Sequence, residues 1–361
     1  MIGLKIIHMK KNIKFGILGL GRVIENRVFK VFKDELKNSK VVSVFDKDKK
    51  KNLRFTKLFN LKKNISLKNF LDVNTDYIYI ATESGNHAKD IKQCFDANKN
   101  VIVEKPPTLR VDQLIELNKI AIKKKLKFYA IYQNRLNNSV KYLKKQIGKK
   151  FIKDTIFVNL KLLWCREQSY YSDWHGKWLY DGGVIAQQGI HYIDLLCYFF
   201  GEPVECVSVV SNKSNKLQAE DTHLGMIKFK NQIVCQISLT TALRPKDFQA
   251  TIEIYQKEKQ IQLHGLCCNK INIIHFKSED NKNLKSLKKY SENVPSGYGL
   301  SHKKVFQNII NYDLKKDKKK PLKAIGTLNT LKLLQMMYKS SEKKSWINFK
   351  DKYLNSKLGN K

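Results

Sequence analysis

The sequence predicts an α/β protein in two parts: a doubly wound parallel sheet over residues 1–133, then, over 134–361, an α/β domain with a large, mostly antiparallel open sheet. Three observations carry that expectation. From 13 to about 134, short β-branched runs alternate with helical stretches, the mark of βαβ units whose sheet is covered on both faces. The first run opens into Gly19-Leu20-Gly21 and a helical pattern, where such sheets bind phosphates. After 134 the runs lengthen and alternate with period two between turns, as antiparallel strands do.

In order, IKFGILG, VVSVFD, DYIYIAT, NVIVEK and KFYAIYQN are the expected parallel strands. Those near 77–82 and 101–104 are almost wholly apolar, as strands buried on both faces are. The second part begins with an amphipathic stretch and continues through FIKDTIFVNLKLLW, CVSVVS, HLGMIKFKNQIVCQISLTTA and ATIEIYQKEKQIQLHG, with hairpin turns at Lys230-Asn231-Gln232 and 256–259. Residues after Gly183 form an apolar helix stopped by Gly201 and Pro203. The polar run 278–289 is expected as an exposed loop or helix rim. The tail 302–338 reads as two helices around KKDKKKP, with Pro321 ending the first segment.

Across 361 residues, 69 Lys+Arg face 32 Asp+Glu, a formal net charge of +37. Such a charge attracts nucleic acid or anionic lipid. Only seven basic residues are arginine, however, and the lysines are spread along the chain, so a solvated lysine surface and no nucleic-acid partner are expected. An acidic small substrate still gains from the field. No apolar run approaches the roughly 20 residues that cross a bilayer, and no membrane partner is expected. No secretory signal is expected from the N-terminal stretch, with Met9 an alternative start to Met1. Seven cysteines without paired CxxC spacing argue against a zinc ribbon and a disulfide framework, and point to a reducing cytoplasm.

Gly19-Leu20-Gly21-Arg22-Val23-Ile24 joins a strand to a helix, so its backbone N–H groups are placed to meet a pyrophosphate. Ile24 stands where that fingerprint prefers Gly or Ala, which requires helix and strand to separate or repack. Asp46 ends the second strand, where a carboxylate binds both adenosine ribose hydroxyls and disfavours a ribose phosphate. NAD is therefore expected over NADP, with Lys47 partly offsetting the preference; the plain alternative is a solvated acid after a glycine turn. Glu104 and Lys105 end NVIVEK at the carboxyl edge of the sheet, before Pro106 and Pro107. A cis bond before Pro106 would aim the lysine through a fixed turn. On composition alone, a plain strand-end lysine is the favoured reading.

In the apolar helix after Gly183, an α-helical 100° per residue places Gln187, His191 and Asp194 within about 60° of one another. Three buried polar groups must find partners, and Asp194 can fix the His191 tautomer. A core histidine that pins the helix is the structural alternative. A metal site is not expected, since neither His191 nor Asp194 has a cysteine or histidine partner at ligand spacing. Upstream, Trp164, Arg166, Tyr170, Tyr171, Trp174, Trp178 and Tyr180 crowd a short span that suits a sugar or a base, or packs a loop. PSGYGLSHKK is a glycine-rich loop leading into a helix, suited to closing over a ligand or to turning alone.

Taken in order, GLGRVI, FD, IATESGNH, EKPP, YQNR, YYSDWHGKWLYDGG and QQGIHYIDLL resemble the Gfo/Idh/MocA family over nearly the whole chain. EKP together with the GIHxxD helix is the most specific part. The look is closest to bacterial sugar and nucleotide-sugar dehydrogenases such as the UDP-N-acetylglucosaminuronate 3-dehydrogenase group. The resemblance implies a Rossmann domain, a second α/β domain, an active site between them, NAD as cofactor, and a homodimer or homotetramer joined through the exposed face of the second sheet. It places Glu104 at the nicotinamide end and Thr82 and His87 along the cofactor. Lys105 would stabilise the alkoxide and His191 would be the acid/base, as hydride passes from a secondary carbinol of a sugar or nucleotide sugar to NAD. Many inositol-dehydrogenase-like members carry Asp four residues before this histidine. Gln187 stands here, which removes support for a carboxylate relay. Arg166, Tyr171, Trp174, Gln187, Gln188, Asp194, Tyr298 and His302 are candidates for substrate contact. An NAD-dependent glycoside hydrolase of the same fold and a noncatalytic NAD or sugar sensor are the alternative readings.

Overall fold

A computed structural model describes residues 12–276, 287–350 and 355–360. The choice between Met1 and Met9, and most of the polar run 278–289, lie outside these residues. Strands β1 (Ile13–Leu18), β2 (Ser39–Phe45), β3 (Tyr77–Ile80), β4 (Asn100–Val103) and β5 (Phe128–Ala130) form a parallel sheet in the order β2-β1-β3-β4-β5. All five expected runs are strands. Tyr77 to Ile80 are fully buried, because helices cover both faces. The chain reverses direction across the sheet between β1 and β3, and open α/β sheets bind ligands in the crevice at such a point.

The glycine loop follows β1 directly. Gly19 takes a positive φ of 88°, and a Cβ there would lie 2.6 Å from the backbone of Ala81 and Thr82, so no larger residue fits the turn. Residues 22–35 then form a helix wound largely with the wider i to i+5 pattern. The misfit foreseen at Ile24 is resolved by repacking: the side chain is completely buried with Phe15, Leu20 and Val28.

The second sheet holds β6 (Thr155–Leu163), β7 (Pro203–Ser211), β8 (Thr222–Phe229), β9 (Val234–Thr240), β10 (Gln249–Gln256), β11 (Lys259–His264), β12 (Lys270–His275) and β13 (Ile347–Asn348). Their order is β12-β11-β10-β6-β9-β8-β7-β13, antiparallel throughout except for the β6–β9 pair. The turns at 230–232 and 256–259 join β8 to β9 and β10 to β11, Gln232 taking a φ of 67°. One face packs on the helices Ile190–Phe200 and Leu328–Lys343. The other leaves Val209, Leu224 and Met226 exposed side by side.

The first tail helix, Ser301–Asp313, stops short of Pro321, where Lys315 turns with a φ of 55°. Its Phe306, Ile309 and Ile310 enter the core of the first sheet, and Asp313 accepts from the Tyr77 hydroxyl at 2.6 Å. The tail thus returns to the parallel sheet. Among the described residues no helix is long and apolar enough to cross a membrane.

Candidate active site

A cavity of about 880 Å³ runs from the carboxyl ends of β1 to β4 to the loops that precede and follow the second sheet's strands. At one end the glycine loop presents the first amides of the helix 22–35, which have no acceptor within the helix. A Cβ on Gly21 would meet nothing within 4 Å, so the space above this turn is open to a phosphate. Asp46 stands beside it, its carboxylate accepting from the Leu20 amide at 2.7 Å and the Asp48 amide at 2.8 Å. These bonds tie the end of β2 to the loop after β1. Loop, open space and acid together fit a dinucleotide.

Further along the sheet, Thr82 donates to Asp90 at 2.6 Å. His87 lines the cavity wall, but both ring nitrogens turn to carbonyls, 2.7 Å from Pro106 and 3.1 Å from Thr82. Burial lowers its pKa, and its visible role is to staple the exit of β3 to the turn after β4. The Lys105–Pro106 bond is cis.

Lys105 crosses to the site helix. Its Nζ donates to the Gln187 carbonyl and to Gln187 Oε1, both at 2.7 Å. Burial lowers the ammonium's pKa against the opposing pull of Asp181 and Glu104. Asp181, 2% exposed, has its own carboxyl pushed up to about 8 by burial despite Lys105. His191 shares the cavity, and burial, Lys105 and His302 hold its pKa well below the ordinary 6.5, which keeps the imidazole neutral. At the far side, Glu104 accepts from the Tyr79 hydroxyl at 2.6 Å and lies 3.5 Å from His302 Nε2. Burial raises the Glu104 pKa, but His302, Tyr79 and Lys105 outweigh it, so the carboxyl stays ionised.

The aromatic loop closes the remaining side. Arg166 is anchored to Asp247 at 2.8 Å and lies 4.9 Å over the Trp164 ring. Trp174 stacks on His175, a buried imidazole pushed down to about 4 by burial. Asp173 binds His175 and also reaches Arg22 of the glycine loop at 3.3 Å.

Most of the expected residues meet in this one cavity: Gly19, Gly21, Arg22, Val23, Asp46, Thr82, His87, Glu104 and Lys105 from the first part, and Arg166, Trp174, Gln187, Gln188, His191, Tyr298 and His302 from the second. Three do not. Ile24 is core. Tyr171 is buried with its hydroxyl on Thr241 at 2.7 Å, because the tight turn 168–171 sends neighbouring side chains apart and offers Tyr170 to the cavity instead. Asp194 turns away from His191, its carboxylate taken by Arg135 at 2.6 and 2.7 Å and by Thr330 at 2.8 Å. It therefore fixes no tautomer. The wide winding of 185–189 also voids the uniform 100° spacing from which a shared stripe was expected.

Asp181 and Gln133 carried no expectation. Gln133 lies in YQNR at the end of β5, and the strand-end position was the available signal. Gln133 Oε1, both amide atoms of Gln188, His191 Nδ1 and both nitrogens of His302 are buried, and none has a hydrogen-bond partner among the described residues. All four side chains line the cavity.

Residues 13–132 match the family model for the Gfo/Idh/MocA oxidoreductase family's NAD-binding Rossmann fold, and 144–349 match that family's C-terminal alpha/beta domain. Among solved structures, the chain is similar to the WlbA dehydrogenase from Bordetella pertussis in complex with NADH and UDP-GlcNAcA, at 24% identity and a TM-score of 0.84, covering 94% of this chain and 98% of that one. The WlbA enzyme from Chromobacterium violaceum, in the same kind of complex, gives 25% identity and 0.84 over 94% and 96%. In sequence, Oxidoreductase P35 of Formosa agariphila is 26% identical over 249 residues, 66% of this chain and 76% of that protein. The NADP-dependent scyllo-inositol 2-dehydrogenase IolW of Bacillus subtilis is 24% identical over 62% of each.

Proposed function

Because the chain belongs to the Gfo/Idh/MocA oxidoreductase family, we propose that it is an NAD-dependent dehydrogenase oxidising a secondary hydroxyl of a sugar or nucleotide sugar, with His191 as acid/base and Lys105 stabilising the alkoxide. The supporting observation is the set of buried, unpartnered polar atoms on Gln133, Gln188, His191 and His302 around one cavity. Buried polar groups are ordinarily bonded, so a wall of open donors and acceptors calls for a ligand rich in hydroxyls and amides. The neighbours that hold NADH with a UDP-sugar favour a nucleotide sugar over a free polyol. Asp46 favours NAD.

A bound dinucleotide supplies the acceptor for the carbinol hydrogen. His191, neutral through burial and the nearby Lys105 charge, takes the hydroxyl proton. Lys105 spends two of its three N–H donors on Gln187, leaving the third for the substrate oxygen as negative charge builds on it. A second copy of the chain is the expected partner, seated on the face that exposes Val209, Leu224 and Met226.

The test is reduced-nicotinamide absorbance with NAD and a panel of UDP-sugars and free polyols. Lys105→Met and His191→Ala each lower kcat/KM for the best substrate by about 100-fold or more. Turnover that survives both substitutions overturns the assignment.

A further inference from the structure

The tail helix lays one stripe against the parallel sheet: His302, Phe306, Ile309 and Ile310, at i, i+4, i+7 and i+8, are all buried. Phe306 meets the Tyr79 ring edge-on at 5.0 Å. Packing alone favours another apolar side chain at the head of this stripe. An imidazole stands there instead, 1% exposed, with neither nitrogen hydrogen-bonded among the described residues. Both halves of the chain fix its place. Arg27 donates to the Leu300 carbonyl at 3.2 Å, and Ser301 donates to Asn137 at 2.7 Å. The imidazole edge faces the cavity beside Glu104, whose carboxylate is already held by Tyr79.

Sheet order identifies the part of a ligand that reaches this edge. Asp46 ends β2 on one flank of β1, while Glu104 ends β4, two strands away on the other flank. A dinucleotide with its adenosine on Asp46 and its pyrophosphate on the loop after β1 extends its nicotinamide half toward Glu104 and His302.

We propose that His302 is a cofactor-reading residue: with Glu104, which Tyr79 holds from behind, it forms the polar end wall on which the nicotinamide carboxamide docks. A carboxamide carries an acceptor oxygen and two N–H donors. The imidazole offers a ring N–H donor and the neighbouring carboxylate accepts, so the two sets are complementary. The adenosine and pyrophosphate moieties lie at the other end of the cleft and do not reach the wall. Docking there fixes which ring face is turned to Lys105 and His191, so His302 is a positioning residue. The inference rests on the dinucleotide reading of the cavity and is independent of the sugar.

The full-length protein, His302→Leu and His302→Asn are each titrated calorimetrically with NADH and with ADP-ribose, which lacks the nicotinamide. His302→Leu is expected to weaken NADH about ten-fold, roughly the loss of one buried hydrogen bond, with ADP-ribose within about two-fold of wild type. His302→Asn keeps a donor and an acceptor and loses less NADH affinity. Unchanged NADH binding, or equal weakening of both ligands, overturns the proposal. If the leucine variant does not fold, His302→Phe, which keeps a ring in the same slot without its polar atoms, decides by the same comparison. Wild-type protein that binds neither ligand would instead refute the dinucleotide reading itself.

Discussion

Gln187 governs how the two candidate catalytic groups share charge. Its two oxygens hold Lys105 Nζ at 2.7 Å, so an amide occupies a place where a carboxylate would pair with the ammonium. Without that pairing, burial keeps both Lys105 and His191 below their ordinary values, and Lys105 depresses His191 further. A base acts in its neutral form, so activity is present above the His191 pKa and lost as pH falls through it. The plateau in kcat/KM therefore extends to the acid side of the ordinary 6.5. Gln187→Glu places a carboxylate at the same reach, stabilises both cations, and moves the acid limb upward by about one unit. A pH profile with the preferred sugar checks this, and an unmoved limb would free Gln187 of the role. Position marks Lys105 and His191 as candidates in the sequence, one at a strand's carboxyl end and one on an apolar helix, while the roles expected of them come from the family resemblance. The fate of Asp194 is not, since local spacing says nothing of Arg135, 59 residues away, whose guanidinium fork claims the carboxylate.

At the level of elements, the site helix starts on a buried acid. Glu220, from the connection between β7 and β8, accepts from the Ile185 amide at 3.0 Å and the Tyr338 hydroxyl at 2.9 Å, while its own carbonyl accepts from the Val184 amide at 2.9 Å. A Cβ on Gly183 would lie 2.3 Å from that carboxyl carbon, which is why a glycine opens this turn. Burial pushes the Glu220 carboxyl up to about 8 from an ordinary 4.5 despite these bonds. The folded protein then holds a proton that the unfolded chain releases, so the contribution of Glu220 to stability is fullest below pH 4.5 and declines as pH rises toward 8. Glu220→Gln keeps the acceptor and removes the titration. Its stability should gain on wild type with rising pH, by up to ~5 kcal/mol in the limit and with little difference near pH 4. Parallel thermal melts across that range test it, and a constant offset would contradict it. The helix itself is legible from its apolar run and its Gly201-Pro203 stop. Its cap and its wide first turn are not, because the capping acid arrives 35 residues later from another element.

For the whole molecule, the change from alternating βα units to period-two runs locates both sheets, since that pattern is set by which faces each strand buries. The return of Ser301–Asp313 to the first sheet is invisible in the same pattern, because an amphipathic stripe shows that a helix is covered without showing by what. That return brings His302 to Glu104 and makes the cavity a product of both parts. The net charge of +37 acts at the same scale. It is spread over lysines, so it yields no arginine-rich reading surface, yet every anion approaching the cleft falls down the same potential. NAD and a UDP-sugar both carry a pyrophosphate, whereas a free polyol carries no charge. Raising ionic strength from about 20 mM to about 300 mM shortens the Debye length from roughly 20 Å to under 6 Å and should lower kcat/KM for the UDP-sugar by on the order of ten-fold. With NAD saturating, a free polyol should change by less than about two-fold. Steady-state rates along a sodium chloride series decide the point: equal salt sensitivity for charged and neutral sugars would show that the lysine field guides neither, and would confine recognition to the groups inside the cavity.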